Sequence, residues 1–402
     1  NIGQVFFSVS KWRRQDKELV PAPQAPASAA VAVKTGLDDT PIAYFSYNDL
    51  QLPIEVTEKE YSRLKPRIFP WDPPTVGWRG PIAEDEEGWS FWSASQQTSG
   101  QRPLVPKGRY LQLQVKLETS SLWEFARVDS LEVQISPLLA EQVVGEVAVV
   151  GELQPSGRRV QVEAGKLTEF VYDVRAEFGG AGQAGFDAVR VVTPSAGQFL
   201  SLEMGDPLIA VEVGSDDVVP EEKGFVVYLP QRVERGGENR LRIHLETTVY
   251  GASERLRGEV FERAGDTLPQ EVEAGDASEA LGTNDLRVLA LEASPGLILG
   301  DISVDPAVLT PQGDGVNDEA EIEYVLFQIL EKAEVEVKVF KLSGERVRRL
   351  SLHTQEAGRH SVCWDGRDDR GQVVTPGIYL ARVEVNTDTG KQARTLPIAV
   401  AY

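Results

Sequence analysis

Oxygen-bearing side chains crowded into a glycine-turned loop are the best-equipped chemical group in this 402-residue chain. Asp314-Gly-Val-Asn317-Asp318-Glu offers the carboxylate and amide oxygens that a hard cation such as Ca²⁺ requires. The alternate-residue ligands of an EF-hand loop are absent. Asp314, Asn317 and Asp318 are therefore read in two ways, as calcium ligands or as an Asx-turn whose side chains bond neighbouring amides while Gly supplies positive φ. A second acidic group, Asp365, Asp368 and Asp369, is interleaved with Arg367 and Arg370, which reads as a self-neutralising hairpin tip.

Flat aromatic rings are the other candidate chemistry. Six of the 7 Trp (12, 71, 78, 89, 92 and 123) precede residue 124. Trp78, Trp89 and Trp92 could stack on sugar rings, or they could fill a sandwich core where a Pro/Gly-rich stretch cannot form regular strands. Gly180-Ala-Gly-Gln-Ala-Gly185 spells G-x-G-x-x-G, but a dinucleotide fingerprint opens a helix and here Phe186-Asp-Ala-Val-Arg-Val-Val continues as a strand, so a β-hairpin loop is expected. The chain has three His: His244 on a polar strand face, His353 in a polar turn, and His360 in step with Val362 and Trp364. No nucleophile elbow, H-E-x-x-H, S-x-x-K or P-loop sequence occurs. A glycosidase acid pair is a matter of spatial separation, which 62 carboxylates leave open. The single Cys, Cys363, excludes an intrachain disulfide and a Cys-based zinc site, and is expected at a sheet or domain contact.

The elements that must position these residues read as strands. A balance of 41 basic against 62 acidic residues gives a net charge of -21, which opposes affinity for nucleic acid or anionic lipid. No run suits membrane insertion by a helix, because Val143-Val-Gly-Glu-Val-Ala-Val-Val-Gly-Glu is broken by charge. The start at Asn1, followed at once by a strand-like Val5-Phe-Phe-Ser-Val9, suggests a removed signal peptide and an extracellular or cell-surface location. Pro21-Ala-Pro-Gln-Ala-Pro-Ala-Ser-Ala-Ala reads as an extended connector or loop, and Glu58 to Leu64 as a short helix before a break from Pro66 to Pro74. Leu111, Leu113, Val115 and Leu117 alternate onto one strand face, and Val335, Val337 and Val339 onto another. Beyond Pro137 the composition turns Val-rich and aromatic-poor, which marks a boundary.

The segment from Asp305 to the end carries a resemblance. Thr310-Pro-Gln-Gly-Asp-Gly-Val-Asn-Asp318, the Val335 to Leu350 strand pair, Ala357-Gly-Arg-His-Ser-Val-Cys-Trp-Asp-Gly-Arg-Asp and Pro376-Gly-Ile-Tyr-Leu-Ala-Arg-Val resemble the immunoglobulin-like domain of flagellar hook-capping proteins and of C-terminal modules of bacterial secreted proteins, some of them sorting tails. The resemblance implies an extracytoplasmic, non-enzymatic module. Residues 1 to 137, with a closing strand pair of Tyr110 to Leu117 and Leu131 to Ile135, resemble galactose-binding-like jelly rolls.

The expected fold is all-β, as tandem β-sandwiches in an elongated rod: a jelly-roll-like domain over 1–137, an immunoglobulin-like domain over 138–299 and a hook-cap-type immunoglobulin-like domain over 300–402. The expected function is a non-enzymatic structural or adhesive part of a bacterial surface or extracellular assembly. Its partners would be other copies of itself or other cell-surface proteins, met at strand edges, with Val5 to Val9 as the exchanged strand. The alternative is a secreted polysaccharide-binding protein with an export module at its end.

Overall fold

The computed structural model describes residues 1–402 except 68, 70, 72, 73, 181, 292–295, 331, 388 and 389. It is all-β, built as sandwiches, and divides into two compact units, Asn1–Pro137 and Leu138–Tyr402.

The first unit contains β1 (Ile2–Gln15), β2 (Glu18–Pro21), β3 (Ala27–Gly36), β4 (Ile42–Tyr47), β5 (Pro53–Val56), helix α1 (Glu58–Arg63), β6 (Arg79–Glu84), β7 (Tyr110–Thr119) and β8 (Glu124–Ile135). β1 is the middle of a β2-β1-β8 sheet, and β3 pairs with β7 in a second. Val5 and Phe7 of the first sheet meet Val31 and Val33 of the second, with Leu111, Leu113, Leu131 and Val133 around them. A third sheet, β5-β4-β6, carries α1, whose start is fixed by a capping box between Thr57 and Glu60.

Three expectations for this unit are corrected. The N-terminal strand is not free for exchange: β1 runs to Gln15, is laddered to β8 along most of its length, and buries Val5 completely. The Ala/Pro stretch is no loose connector, because Ala25, Ala27 and Ala29 are buried and β3 begins inside it. Small side chains there let the strand pack closely. Tyr110 to Leu117 and Leu131 to Ile135 do not pair; they lie in opposite sheets of the sandwich. Of the break from 66 to 74, residues 68, 70, 72 and 73 lie outside the described residues.

Among its described residues the second unit contains two large apolar cores and a small cluster of Ala148, Val171 and Leu281. The first is enclosed by one ladder of strands 209–211, 197–204, 240–248, 167–177 and 142–149 and another of 270–274, 257–261, 186–192, 224–233 and 218–221. Strand Gln270–Ala274 belongs to both, pairing parallel to Gln142–Val149 and antiparallel to Arg257–Phe261, so the sheet folds over on itself. Gly145 sits where a Cβ would lie 2.6 Å from Val272 Cγ1 and 3.1 Å from the Asp173 carbonyl, so the close approach of the strands requires glycine there. The core holds Phe170, Tyr172, Phe186, Phe225, Leu241, Ile243 and Leu245. The charged residue that interrupts the Val143 run, Glu146, is wholly buried. It accepts hydrogen bonds from the amides of Ala277 (3.0 Å), Ser278 (2.8 Å) and Asn284 (3.0 Å) and from the Thr283 hydroxyl (3.1 Å), which ties the 277–284 loop to the strand.

The second core lies between a five-stranded sheet (308–309, 390–400, 377–387, 333–341, 346–355) and a three-stranded one (299–305, 320–326, 358–364). Val335, Val337 and Val339 are buried in it as their alternation requires, around Trp364 and Tyr379, whose rings meet edge-on at 5.4 Å. Two loops expected as hairpins are corrected. Gly180 to Gly185, of which Ala181 lies outside the described residues, links strands 167–177 and 186–192, which do not pair. The Gly366 to Gly371 loop links strands of different sheets. Both are crossovers that turn the chain from one layer to the other. Phe327 packs against the first core, and Gln328, at φ 56°, gives its amide to the Tyr250 carbonyl (3.0 Å) and its side chain to the Ala290 carbonyl (3.1 Å), which wedges the start of the second sandwich against the first.

Candidate functional site

The loop of Asp314, Asn317 and Asp318 forms as an Asx-type turn. Asp318 accepts the Gly313 amide on one oxygen and the Gly315 amide on the other, both at 2.6 Å, and Asp314 Oδ1 accepts the Val316 amide at 2.9 Å. Asn317 occupies the left-handed region at φ 53°, and its carbonyl accepts the Thr310 amide at 2.7 Å. The Gly313 and Gly315 amides hold the Asp318 carboxyl below the usual aspartate range. Three of the four carboxylate oxygens of Asp314 and Asp318 thus serve backbone amides, and among the described residues no group of three or more His, Cys, Asp or Glu side chains converges as metal ligands would. The Asp365 cluster is neutralised from a neighbouring strand: Arg348 bonds Asp365 and Arg346 reaches Asp369 at 3.4 Å, while Asp368 caps the amides of Arg370 and Gln372.

The three tryptophans do not make one platform. Trp89 is 7% exposed, so the face that a sugar would stack on is covered. Its ring lies over Gly36, where a Cβ would come within 2.1 Å of it, and its indole N–H donates to Asp38 Oδ1 at 2.9 Å. Trp92 is half-buried beside it, the Lys34 ammonium lying 5.5 Å from the Trp89 ring and 5.0 Å from that of Trp92. Trp78 belongs to a different element, at the entry to β6, bridged to Lys65. Lys34, itself buried, reaches Glu84 at 3.4 Å; its place at the end of the apolar Val31-Ala-Val run gave no sign of this aromatic clamp.

In the second unit two adjoining cavities of about 680 Å³ each lie between its two sandwiches. They share Lys223, Lys332 and Glu356, and Arg255, Arg257 and Glu254 line the first. Both ammonium groups converge on Glu356, at 3.7 and 3.5 Å. Burial pushes the Glu254 carboxyl up, with Glu356 adding to the shift against Lys223. These residues come from segments far apart in the chain, so only the fold could assemble them. Nucleophilic chemistry of the serine–histidine kind would need a hydroxyl held by an imidazole. Here Ser195 is bonded to Thr247 and Thr248, and His360 Nε2 to the Glu356 carbonyl at 2.9 Å, with its ring 5.8 Å from that of Tyr324. Cys363 is exposed rather than packed at a contact, because its side chain points away from the core that Trp364 enters; burial, then Glu321 and Glu319, nonetheless push its thiol up.

Residues 314–389 match the family model of the FlgD Ig-like domain. No curated protein matches the chain by sequence. Among solved structures, the chain is similar to the dimeric latent PorU of Porphyromonas gingivalis at 13% identity and TM-score 0.23, covering 93% of this chain and 30% of that one. It thus spans less than a third of PorU's length. It is also similar to the C-terminal domain of the AgI/II polypeptide BspA of Streptococcus agalactiae (9% identity, TM-score 0.24, 65% of this chain and 100% of that one) and to a 35 kDa C-terminal fragment of the major pilin GBS80 of S. agalactiae (6%, 0.23, 64% and 91%).

Proposed function

We propose that this chain is a non-enzymatic structural or adhesive component of a bacterial cell surface or extracellular assembly, built as three modules over 1–137, 138–299 and 300–402. The observation that carries the reading is where the chain's polar chemistry goes. Glu146, Asp318, Asp365 and Ser195 all serve to fasten loops to strands. Of the residues lining the cavities between the two sandwiches, Lys223 and Lys332 are paired with Glu356, and the Ser195 hydroxyl and His360 imidazole of the second are each bonded to a backbone carbonyl rather than to each other. Export is consistent with a match to the FlgD Ig-like domain at the C-terminal end and with long strands left unpaired on one side. Electron microscopy and light scattering of the full chain test the reading: ordered oligomers or surface-bound arrays are expected, whereas a monomer with hydrolytic or transferase activity against a substrate panel would overturn it.

A second reading, polysaccharide binding through the first unit, is favoured by the half-buried rings of Trp92 and Trp78 but no longer by Trp89. Retention on a glycan array that is lost in Trp92→Ala would support it. Uniform lack of retention would remove it.

A further inference from the structure

We propose that β7 is a self-association edge, on which a second copy of this chain docks its own β7 antiparallel about a two-fold axis at Leu117. The inference rests on the reading of the chain as an assembly component and moves the docking strand from β1, whose both sides are taken, to β7.

β7 is ten residues long and, among the described residues, pairs with β3 alone. The amide of Ser120 donates to the Pro26 carbonyl, which continues the β3–β7 register of Thr119 with Ala27 and Glu118 with Ser28. Even-numbered amides of β7 are thereby turned to β3, and those of Leu113, Val115 and Leu117 to the free side. A long edge of this kind is a ready template for another strand, and natural proteins usually blunt it with proline, a bulge or an inward charge. β7 has none of these, and the charge it does carry, Lys116, is matched by Glu118: its sequence is Tyr110-Leu-Gln-Leu-Gln-Val-Lys-Leu-Glu-Thr119 and its register with β3 is unbroken. Its apolar face is covered at Leu111 and Leu113 but open at the far end, where Val115 is 38% and Leu117 51% exposed.

The occupant follows from the charge pattern. Lys116 and Glu118 flank Leu117 on the outer face, exposed and 2.6 Å apart. An antiparallel copy centred on Leu117 sets Leu117 opposite Leu117 as a hydrogen-bonded pair, places Val115 opposite Thr119, and brings Lys116 opposite Glu118 of the other copy twice over, in the non-hydrogen-bonded positions where side chains stand closest. A two-fold interface must be self-complementary, and this stretch is, in charge and in apolar face alike. A register centred on Val115 would set Lys116 against Gln114 and lose both pairs.

Sedimentation velocity of the full chain over a micromolar series is the test, with thermal melts as a check on folding. Wild type is expected to dimerise. Lys116→Glu or Glu118→Lys places like charges opposite each other at two sites and should weaken the dimer by about tenfold or more. The double exchange Lys116→Glu with Glu118→Lys restores both cross-strand pairs and should recover wild-type association. Val115→Pro removes an outward amide without touching the β3 ladder, and should leave a folded monomer. A wild type that stays monomeric throughout overturns the proposal. So does self-association that all these variants leave unchanged, in which case the assembly reading stands and another surface carries it.

Discussion

Glu146 shows what a single buried carboxylate does in this fold. Glu146→Ala would strip the acceptor from three amides and a hydroxyl at once, and hydrogen bonds to a charged group are worth about 1.5–3 kcal/mol each, so a loss of roughly 3 kcal/mol or more is expected in the denaturation of the second unit, with faster hydrogen exchange in the 277–284 loop. From sequence this residue registers only as an interruption of an apolar run, because the loop it anchors lies some 130 residues later. Asp318 was legible as a loop residue, but whether its oxygens face a cation or amides depends on turn geometry that the sequence leaves open. Its carboxyl is held down by two amides, so the charged form contributes to the turn above the ordinary aspartate range and the contribution is lost as pH falls below that range through the depressed value. The amide resonances of Gly313 and Gly315 should therefore hold steady at neutral and mildly acidic pH and move together only in stronger acid. Millimolar Ca²⁺ is expected to leave them in place, since Asp318 and Asp314 already accept three amides in the closed turn; a calcium-dependent shift would support the metal site instead.

Strands were legible where one face is buried and the other wet, as at Val335 to Val339, since alternation records the two environments directly. Pairing was not, because the alternation of β7 and β8 is the same whether they lie side by side or in opposite sheets; only the two-layer core of Val5, Phe7, Val31 and Val33 decides it. The same core changes what truncation does. Removing residues 1 to 10 takes away the central strand of a sheet together with two of those four core residues, so circular dichroism and proteolysis should show the first unit unfolded, not a folded unit that fails to assemble. Gly36→Ala probes the same unit more gently. A methyl driven into the Trp89 ring must displace it, at a cost of about 1–3 kcal/mol, and indole fluorescence should shift as Trp89 moves away from Asp38.

At the scale of the whole chain, the distribution of apolar residues sets the order in which its parts give way. The second unit encloses two cores that include Phe170, Tyr172, Phe186, Phe225, Tyr324 and Trp364, all essentially without solvent contact. The first unit fully covers little beyond Val5, Val31 and Val33, and leaves Phe91 (79%), Leu104 (93%), Leu122 (95%) and Trp123 (64%) facing solvent. Burial of apolar surface is the main favourable term in folding, at roughly 25 cal/mol per Å², and a domain with a small covered core has little margin over its conformational entropy. Calorimetry should accordingly resolve more than one transition, the first unit melting earliest, and brief digestion near that temperature should leave a resistant fragment beginning close to Leu138. If the exposed rings of the first unit are covered when copies associate, its transition alone should rise with protein concentration while those of the second unit stay fixed, because a ligand that binds only the folded form stabilises the part it binds. A single concentration-independent transition for the whole chain would show instead that the two units melt as one and that the open side of the first contributes nothing to association.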